Sequence, residues 1–268
     1  NPSICEIGCN DGSFLNLLRS SGYTKLSGVE PASDAYKLAK EIEPNVIHNF
    51  FTKEMAKEMY GEVNFDFVIT RQVLEHICDL HDFVDGLKYI LSDEGIVIIE
   101  IPDQTMNYEL CDYSFWEEHI NYFTINTVRQ LLNMHGLHIF HHESVLFSGK
   151  ALIIYCKKGA YRKGNFFDID REKRSRYIKA FPQFKEKLTE FIELKKKVHS
   201  EVSLYGVGCR SICLFQFLEI DHLIDRFIDD SPQKLDKWIP MSRKLICTAK
   251  DAPDGTYYLL GVNSEAEN

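Results

Sequence analysis

Hydrophobic and polar positions alternate in blocks along the first hundred residues. Ser3–Ile7 is a short apolar run that ends in Gly8-Cys9-Asn10-Asp11-Gly12. Apolar residues at helical spacing follow from Ser13 to about Ser20, which predicts strand, glycine turn and amphipathic helix. Lys25–Glu30 reads as a second strand and Ala32–Glu41 as a helix capped near Ser33. Asn45–Phe51 and Phe65–Thr70 read as strands three and four, followed by a helix from Asp82 to Leu91. Gly95–Ile101 is almost wholly apolar, as a strand covered on both faces should be. Strands alternating with helices predict a parallel, doubly wound sheet. Leu137–Glu143 and Lys150–Lys157, joined through a Ser-Gly turn, read as an antiparallel hairpin that closes it.

Beyond Lys158 the pattern changes. Arg171–Val202 is Lys/Glu-rich and reads as a long helix interrupted near Pro182, expected as a solvated bridge. A second α/β pattern then starts: strand Ser203–Tyr205, turn Gly206-Val207-Gly208, helix Ser211–Leu218, and strands Leu223–Ile228 and Tyr257–Val262. The predicted fold class is α/β: a Rossmann-like domain with an antiparallel final hairpin over residues 1–158, a helical linker over 159–202, and a smaller Rossmann-like domain over 203–268.

The chain has 268 residues, 44% of them hydrophobic and 26% charged, the balance of a globular protein. Its formal charge of −9 argues against a nucleic-acid partner, which needs a positive surface. No run of about 18 apolar residues is present, so no membrane helix is expected. The chain opens almost directly on a strand without a leader, which points to a preceding segment in the native protein. Eight cysteines are scattered through apolar segments without a C-x-x-C pair. Cys5/Cys9 and Cys209/Cys213, each four apart, are expected as small buried thiols rather than metal ligands, in a reducing cytoplasmic setting.

Candidate chemistry begins at the first turn. Gly8 and Gly12 allow a tight turn and close approach of backbone to ligand. Asn10 and Ser13 stand where a dinucleotide fingerprint would have glycine, so the pyrophosphate cradle is incomplete and a nicotinamide dehydrogenase ranks last. Glu6 precedes the turn and Glu30 ends the second strand, where a carboxylate accepts both hydroxyls of a ribose. Together they favour an adenosyl ligand without phosphates, for which S-adenosylmethionine (SAM) is the candidate.

Glu6–Gly12, Gly28-Val29-Glu30-Pro31, Asp66–His76 and Gly95–Pro102 resemble the successive motifs of class I SAM-dependent methyltransferases. Phe115-Trp116-Glu117-Glu118-His119-Ile120-Asn121-Tyr122-Phe123-Thr124 resembles the Tyr-His-Glu-His-x-x-Tyr-Phe-Ser signature of nucleotide-sugar C-methyltransferases. Tyr205–Gly208, Ile228–Lys234, Ile239-Pro240 and Gly261-Val262-Asn263 resemble that family's C-terminal domain. The resemblance implies methyl transfer from SAM to carbon of a nucleotide-linked deoxy-keto-sugar. It assigns His119 as the base, with Glu118 before it as a catalytic neighbour that orients an imidazole or holds substrate hydroxyls. In this chain Trp116-Glu117 stands where the family has Tyr-His, and the resemblance begins after the family's zinc-bearing N-terminal domain, which is expected to have been either cut away or never present.

The expected SAM set is therefore Glu6, Gly8, Asn10, Gly12, Glu30, Pro31, Phe50, Arg71, Gln72 and His76. Phe50 is placed at the adenine edge, and Arg71 and Gln72 follow the fourth strand, where ligand-facing residues collect. The expected substrate set is Glu117, Tyr122, Gly208, Arg210, Asp229 and Lys234, with the glycine turn holding an anionic part through N–H groups at a helix start. The active cleft is expected between the two α/β units, and no metal is expected. The alternatives are O-methylation of a sugar or small hydroxylated acceptor, and a non-catalytic SAM-fold module.

Overall fold

The computed structural model describes residues 1–113, 115–147, 149–159 and 171–262. Ser114, Ser148, residues 160–170 and residues 263–268, which include the expected Ser-Gly turn residue Ser148 and the family-like Asn263, lie outside that description. The chain forms two compact units, one of Asn1–Thr105 with the chain from Ile120 through the hairpin, the other of Met106–His119 with the chain from Arg171.

In the first unit, strands β1 (Ser3–Ile7), β2 (Lys25–Val29), β3 (Val46–Ile47), β4 (Phe65–Arg71), β5 (Leu91–Pro102), β6 (Leu137–Leu146) and β7 (Lys150–Lys158) make one sheet. Their order is β3-β2-β1-β4-β5-β7-β6. The first five strands are parallel, and β7 runs antiparallel to both β5 and β6, as the hairpin pattern predicts. Chain order reverses between β1 and β4, and that reversal opens a crevice at the carboxyl ends of the strands. Register makes the crevice specific: Ile7 lies opposite both Val29 and Thr70. The residues that follow, Gly8, Glu30 and Arg71, consequently emerge side by side.

Alternation along β1 feeds two cores. Cys5 and Ile7 join the larger one, with Val29, Phe83, Leu87, Val97 and Ile99. Ile4 points to the smaller one, with Leu15, Leu26, Ala39 and Val46. Helices α1 (Ser13–Ser20) and α2 (Ser33–Ile42) flank the smaller core, while α3 (Lys53–Tyr60) and α4 (Leu80–Ile90) flank the larger.

Several boundaries differ from the sequence pattern, each for a local reason. The third strand keeps two of its seven predicted residues. Thr52 then caps α3 by accepting the Met55 N–H, so a helix begins where the pattern showed none. Ala32, not Ser33, is the N-cap of α2, and its N–H donates to Glu30 Oε1 at 2.8 Å. Helices α5 (Gln104–Leu110) and α6 (Ile125–Met134) were also not expected; Thr124 caps α6 through the Thr127 N–H.

The second unit carries a parallel four-stranded sheet of β8 (Val202–Tyr205), β9 (Arg226–Ile228), β10 (Ile246–Cys247) and β11 (Tyr257–Leu260), in the order β10-β9-β8-β11. Helix α8 (Cys209–Phe217) follows β8. The long helix α7 (Arg171–Lys196) runs unbroken past Pro182 and is not a solvated bridge. Phe181, Phe184, Leu188 and Ile192 recur at spacings of three and four, forming a stripe that packs on Val202, Leu204, Phe215 and Phe227. Tyr113 is buried in the same unit, its ring 4.5 Å from Tyr177 and 5.0 Å from Phe184. Those aromatic contacts belong to the second unit, which takes in Met106–His119, although the sequence pattern places these residues within the first. Among the described residues no helix is long and apolar enough to cross a membrane.

Candidate active site

The turn after β1 is held in a conformation that side chains resist. Gly8 and Gly12 have φ of 74° and 81°, and Asn10 between them has φ of 48°. A Cβ on Gly8 would sit 2.4 Å from Val73 Cγ2, so glycine is demanded twice there. The N–H groups of Gly8 and Cys9 both donate to the Val29 carbonyl, at 2.8 and 3.1 Å. Asn10 N–H donates to Glu30 Oε2 at 2.8 Å, while Ala32 N–H occupies Oε1. Glu30, only 6% exposed, therefore fastens the corner with one bond to each oxygen. Each carboxylate oxygen still has acceptor capacity for a hydroxyl.

Glu6 shares the β1 face of Ile4 and is fully buried. Arg71 donates to Glu6 Oε1 through Nε at 3.1 Å and Nη2 at 3.0 Å, and Oε2 has no partner among the described residues. Burial pushes the Glu6 carboxyl up to about 7, a rise that Arg71 opposes without cancelling. The guanidinium lies 4.0 Å over the Phe14 ring. Arg71, expected to face ligand, is thus committed to Glu6. Gln72 is similarly engaged: its Nε2 donates to Glu100 Oε1 at 3.1 Å and its backbone N–H to the Glu100 carbonyl.

Pro31 accepts at its carbonyl from His48 Nε2 at 3.0 Å, and the His48 ring stacks on Tyr36 at 4.6 Å. Phe50 is 73% exposed and lies beyond β3, whereas its neighbour Phe51 packs edge-on against Phe83 in the core. His76 ends a short helical turn, exposed to solvent. Before it sits Glu75, which the sequence pattern does not single out. It is 1% exposed, and neither carboxylate oxygen has a hydrogen-bond partner among the described residues. Burial, with Glu100 nearby, raises it to about 7 against the pull of its own backbone N–H and His76. Its only sequence signal was a charge inside the apolar run Val73-Leu74-Glu75-His76-Ile77. The Glu75 carbonyl accepts from Ile120 and Asn121, and this fixes the chain that carries half-exposed Tyr122.

The remaining expected residues gather in the second unit. The His119 ring stacks on Trp116 at 5.6 Å, and the Arg210 guanidinium lies 5.4 Å from the centre of the same indole. Glu117 Oε2 accepts from both the Cys209 and Cys213 thiols, which lowers its pKa. Glu118 is exposed. Residues more than ninety positions apart thus converge where α8 begins.

The turn after β8 departs from its expected role as an anion cradle. The N–H of Gly206 goes to the Ile228 carbonyl, that of Val207 to Asp229 Oδ2, and that of Gly208 to Ser211 Oγ. Lys234 bridges Asp229 Oδ2 and the Val207 carbonyl at 2.8 and 2.9 Å. Burial raises Asp229, but Lys234 and the Ser231 and Val207 N–H groups outweigh it and hold the carboxyl low. Asp229 and Lys234 accordingly staple the turn. Gly206 (φ 88°) needs to be glycine, whereas a Cβ on Gly208 would meet nothing within 4 Å.

Residues 1–142 match the family described as a methyltransferase domain, and residues 169–258 match the C-methyltransferase C-terminal domain. The chain is 26% identical to the C-methyltransferase NovU of Streptomyces niveus, an alignment that covers 96% of this chain and 65% of that protein. It therefore spans slightly less than two thirds of that relative. It is also 27% identical over 104 residues to a ubiquinone biosynthesis O-methyltransferase of Rickettsia bellii, covering 38% of this chain and 42% of the relative. A solved SAM-dependent methyltransferase from Methanosarcina mazei aligns over 60% of this chain and 93% of its own, with 16% identity and a TM-score of 0.49. The chain belongs to the SAM-dependent methyltransferase family, with the C-terminal domain of the C-methyltransferases joined to the methyltransferase domain.

Proposed function

We propose that the protein transfers a methyl group from SAM to a carbon beside the ketone of a nucleotide-linked deoxysugar. The observation that carries the SAM part is Glu30, whose two oxygens each take one backbone N–H and keep room for ribose hydroxyls. Charge supports the same ligand: Asp11 and Glu30 both act on Glu6, and such an acidic corner suits a cationic sulfonium better than a pyrophosphate. Bound there, SAM supplies an electrophilic methyl on positively charged sulfur. Glu30 orients the adenosyl part, and Gly8 and Gly12, packed against Val73 and Ala39, hold the tight turn that aims its N–H groups.

His119 is the proposed base, because imidazole titrates near neutral pH and so takes a carbon-bound proton without needing an extreme environment. Its stacking on Trp116 limits the ring's rotation and sets its face. In the proposed reaction the proton leaves the carbon next to the ketone for His119, the electron pair forms the new carbon–methyl bond, and the carbon–sulfur bond breaks. Glu118 is assigned to substrate hydroxyls. The C-terminal match and the likeness to NovU support carbon as the acceptor. The O-methyltransferase likeness, confined to 38% of the chain, supports hydroxyl methylation as the second reading. A methyl resonance on ring carbon, against a methoxy signal, separates the two.

Calorimetric titration with SAM tests the site. Replacing Glu30 with Ala removes charged acceptors worth about 1.5–3 kcal/mol, so binding should weaken roughly 10- to 100-fold. Glu30→Ala binding SAM as tightly as the native chain would end the assignment.

A further inference from the structure

Cys209 and Cys213 are separated by four residues on α8, and so share one face of the helix. Their sulfurs are 3.9 Å apart. Two thiolates about 2.3 Å from a tetrahedral zinc ion lie roughly 3.8 Å apart. The helix thus presents the pair at metal-bridging separation with no backbone movement. Glu117 comes from a different segment, and its Oε2 lies 2.5 Å from the first sulfur and 3.2 Å from the second. All three donor atoms fall within 4.8 Å of one another.

We propose that Glu117, Cys209 and Cys213 form a binding site for zinc, held by two thiolates and one carboxylate with a fourth position open to water or another ligand. The donor set decides the class of ion: sulfur selects zinc over magnesium or calcium, which prefer all-oxygen sites. Access is open, because Glu117 is exposed and both cysteines are half-buried, unlike buried Cys5 and Cys9. Both thiols donate to the same carboxylate oxygen, so one ion replaces two S–H bonds and sends two protons to solvent. Thiols ligate zinc only as thiolates, so binding releases protons and tightens as pH rises. The bound ion would cross-link residues 115–119 to the first turns of α8. It would also hold Trp116, and through it the His119 ring, in place. The site rests on these three donor atoms alone and not on the assignment of SAM or of the acceptor above.

Cobalt is the test probe, because thiolate coordination gives it sulfur-to-metal charge-transfer bands. The reduced 268-residue chain should take one cobalt per molecule with such bands, and zinc should displace it. Cys209→Ser and Cys213→Ser should each weaken binding roughly 100-fold, and Glu117→Gln roughly tenfold. Alkylation of the native chain provides a readout that needs no variant: zinc should shield Cys209 and Cys213 while leaving exposed Cys78 reactive. Bound cobalt without sulfur bands, a Cys209→Ser/Cys213→Ser double variant that keeps native affinity, or unchanged alkylation at both positions would each overturn the site.

Discussion

Replacing Glu75 with Gln should make the first unit more stable at alkaline pH than at acid pH, relative to the native chain. The carboxyl is 1% exposed, its two oxygens lack partners among the described residues, and burial raises it from the usual 4.5 to about 7. A raised folded value means that the folded state binds the proton more tightly than the unfolded chain does. The stability tied to that proton is complete below the unfolded value and is lost as pH climbs through the folded one. Fully expressed, the difference is worth about 3 kcal/mol. Between about pH 5 and about pH 8 it amounts to about 2 kcal/mol, since the unfolded carboxyl is already part-ionised at the lower value. Glutamine fills the same space and never ionises, so it removes this dependence. Glu6 gives a parallel slope in both proteins, and the difference between the two proteins, compared across pH, isolates Glu75. Hydrogen exchange at the Val68, Ile69 and Thr70 amides, followed in denaturant, reads the first unit by itself. An equal effect of the substitution at both pH values, or a native chain that gains stability as pH rises through this range on account of Glu75, refutes the reasoning.

Three further changes probe the second unit. Gly206→Ala places a Cβ 2.5 Å from Val262 Cγ1 at φ 88° and should cost about 2–4 kcal/mol, while Gly208→Ala should stay within about 1 kcal/mol. Thermal unfolding followed by fluorescence of Trp116 and Trp238 distinguishes them, and equal losses would contradict the geometry. Ile192 is 0% exposed, so Ile192→Ala should cost about 2–5 kcal/mol. The change would be nearly silent if α7 were the solvated bridge its charged composition suggests.

The alternation of apolar and polar blocks was enough to place β1, α1, β2, β4 and the closing hairpin, because sheet and helix periods are properties of adjacent residues. The tight glycine turn after β1 and the carboxylate that follows β2 were legible for the same reason: both depend on positions within one strand–helix–strand unit. Helices α3 and α6 leave little periodic signal although Thr52 and Thr124 carry their capping signals, since short helices beside apolar runs blur the period. Other features have no local signature. Arg71 turns to Glu6 because parallel register puts the ends of β1 and β4 together. Asp229 and Lys234 serve the turn after β8 because β9 lies beside β8. Glu75 is perturbed by the packing around it, and the meeting of Glu117 with Cys209 and Cys213 spans more than ninety residues. Sequence by itself determined the main parallel strands, the closing hairpin and the carboxylate that follows β2. Only the tertiary structure decided which charges lose water and which distant side chains meet, because desolvation and contact depend on neighbours that chain order does not supply.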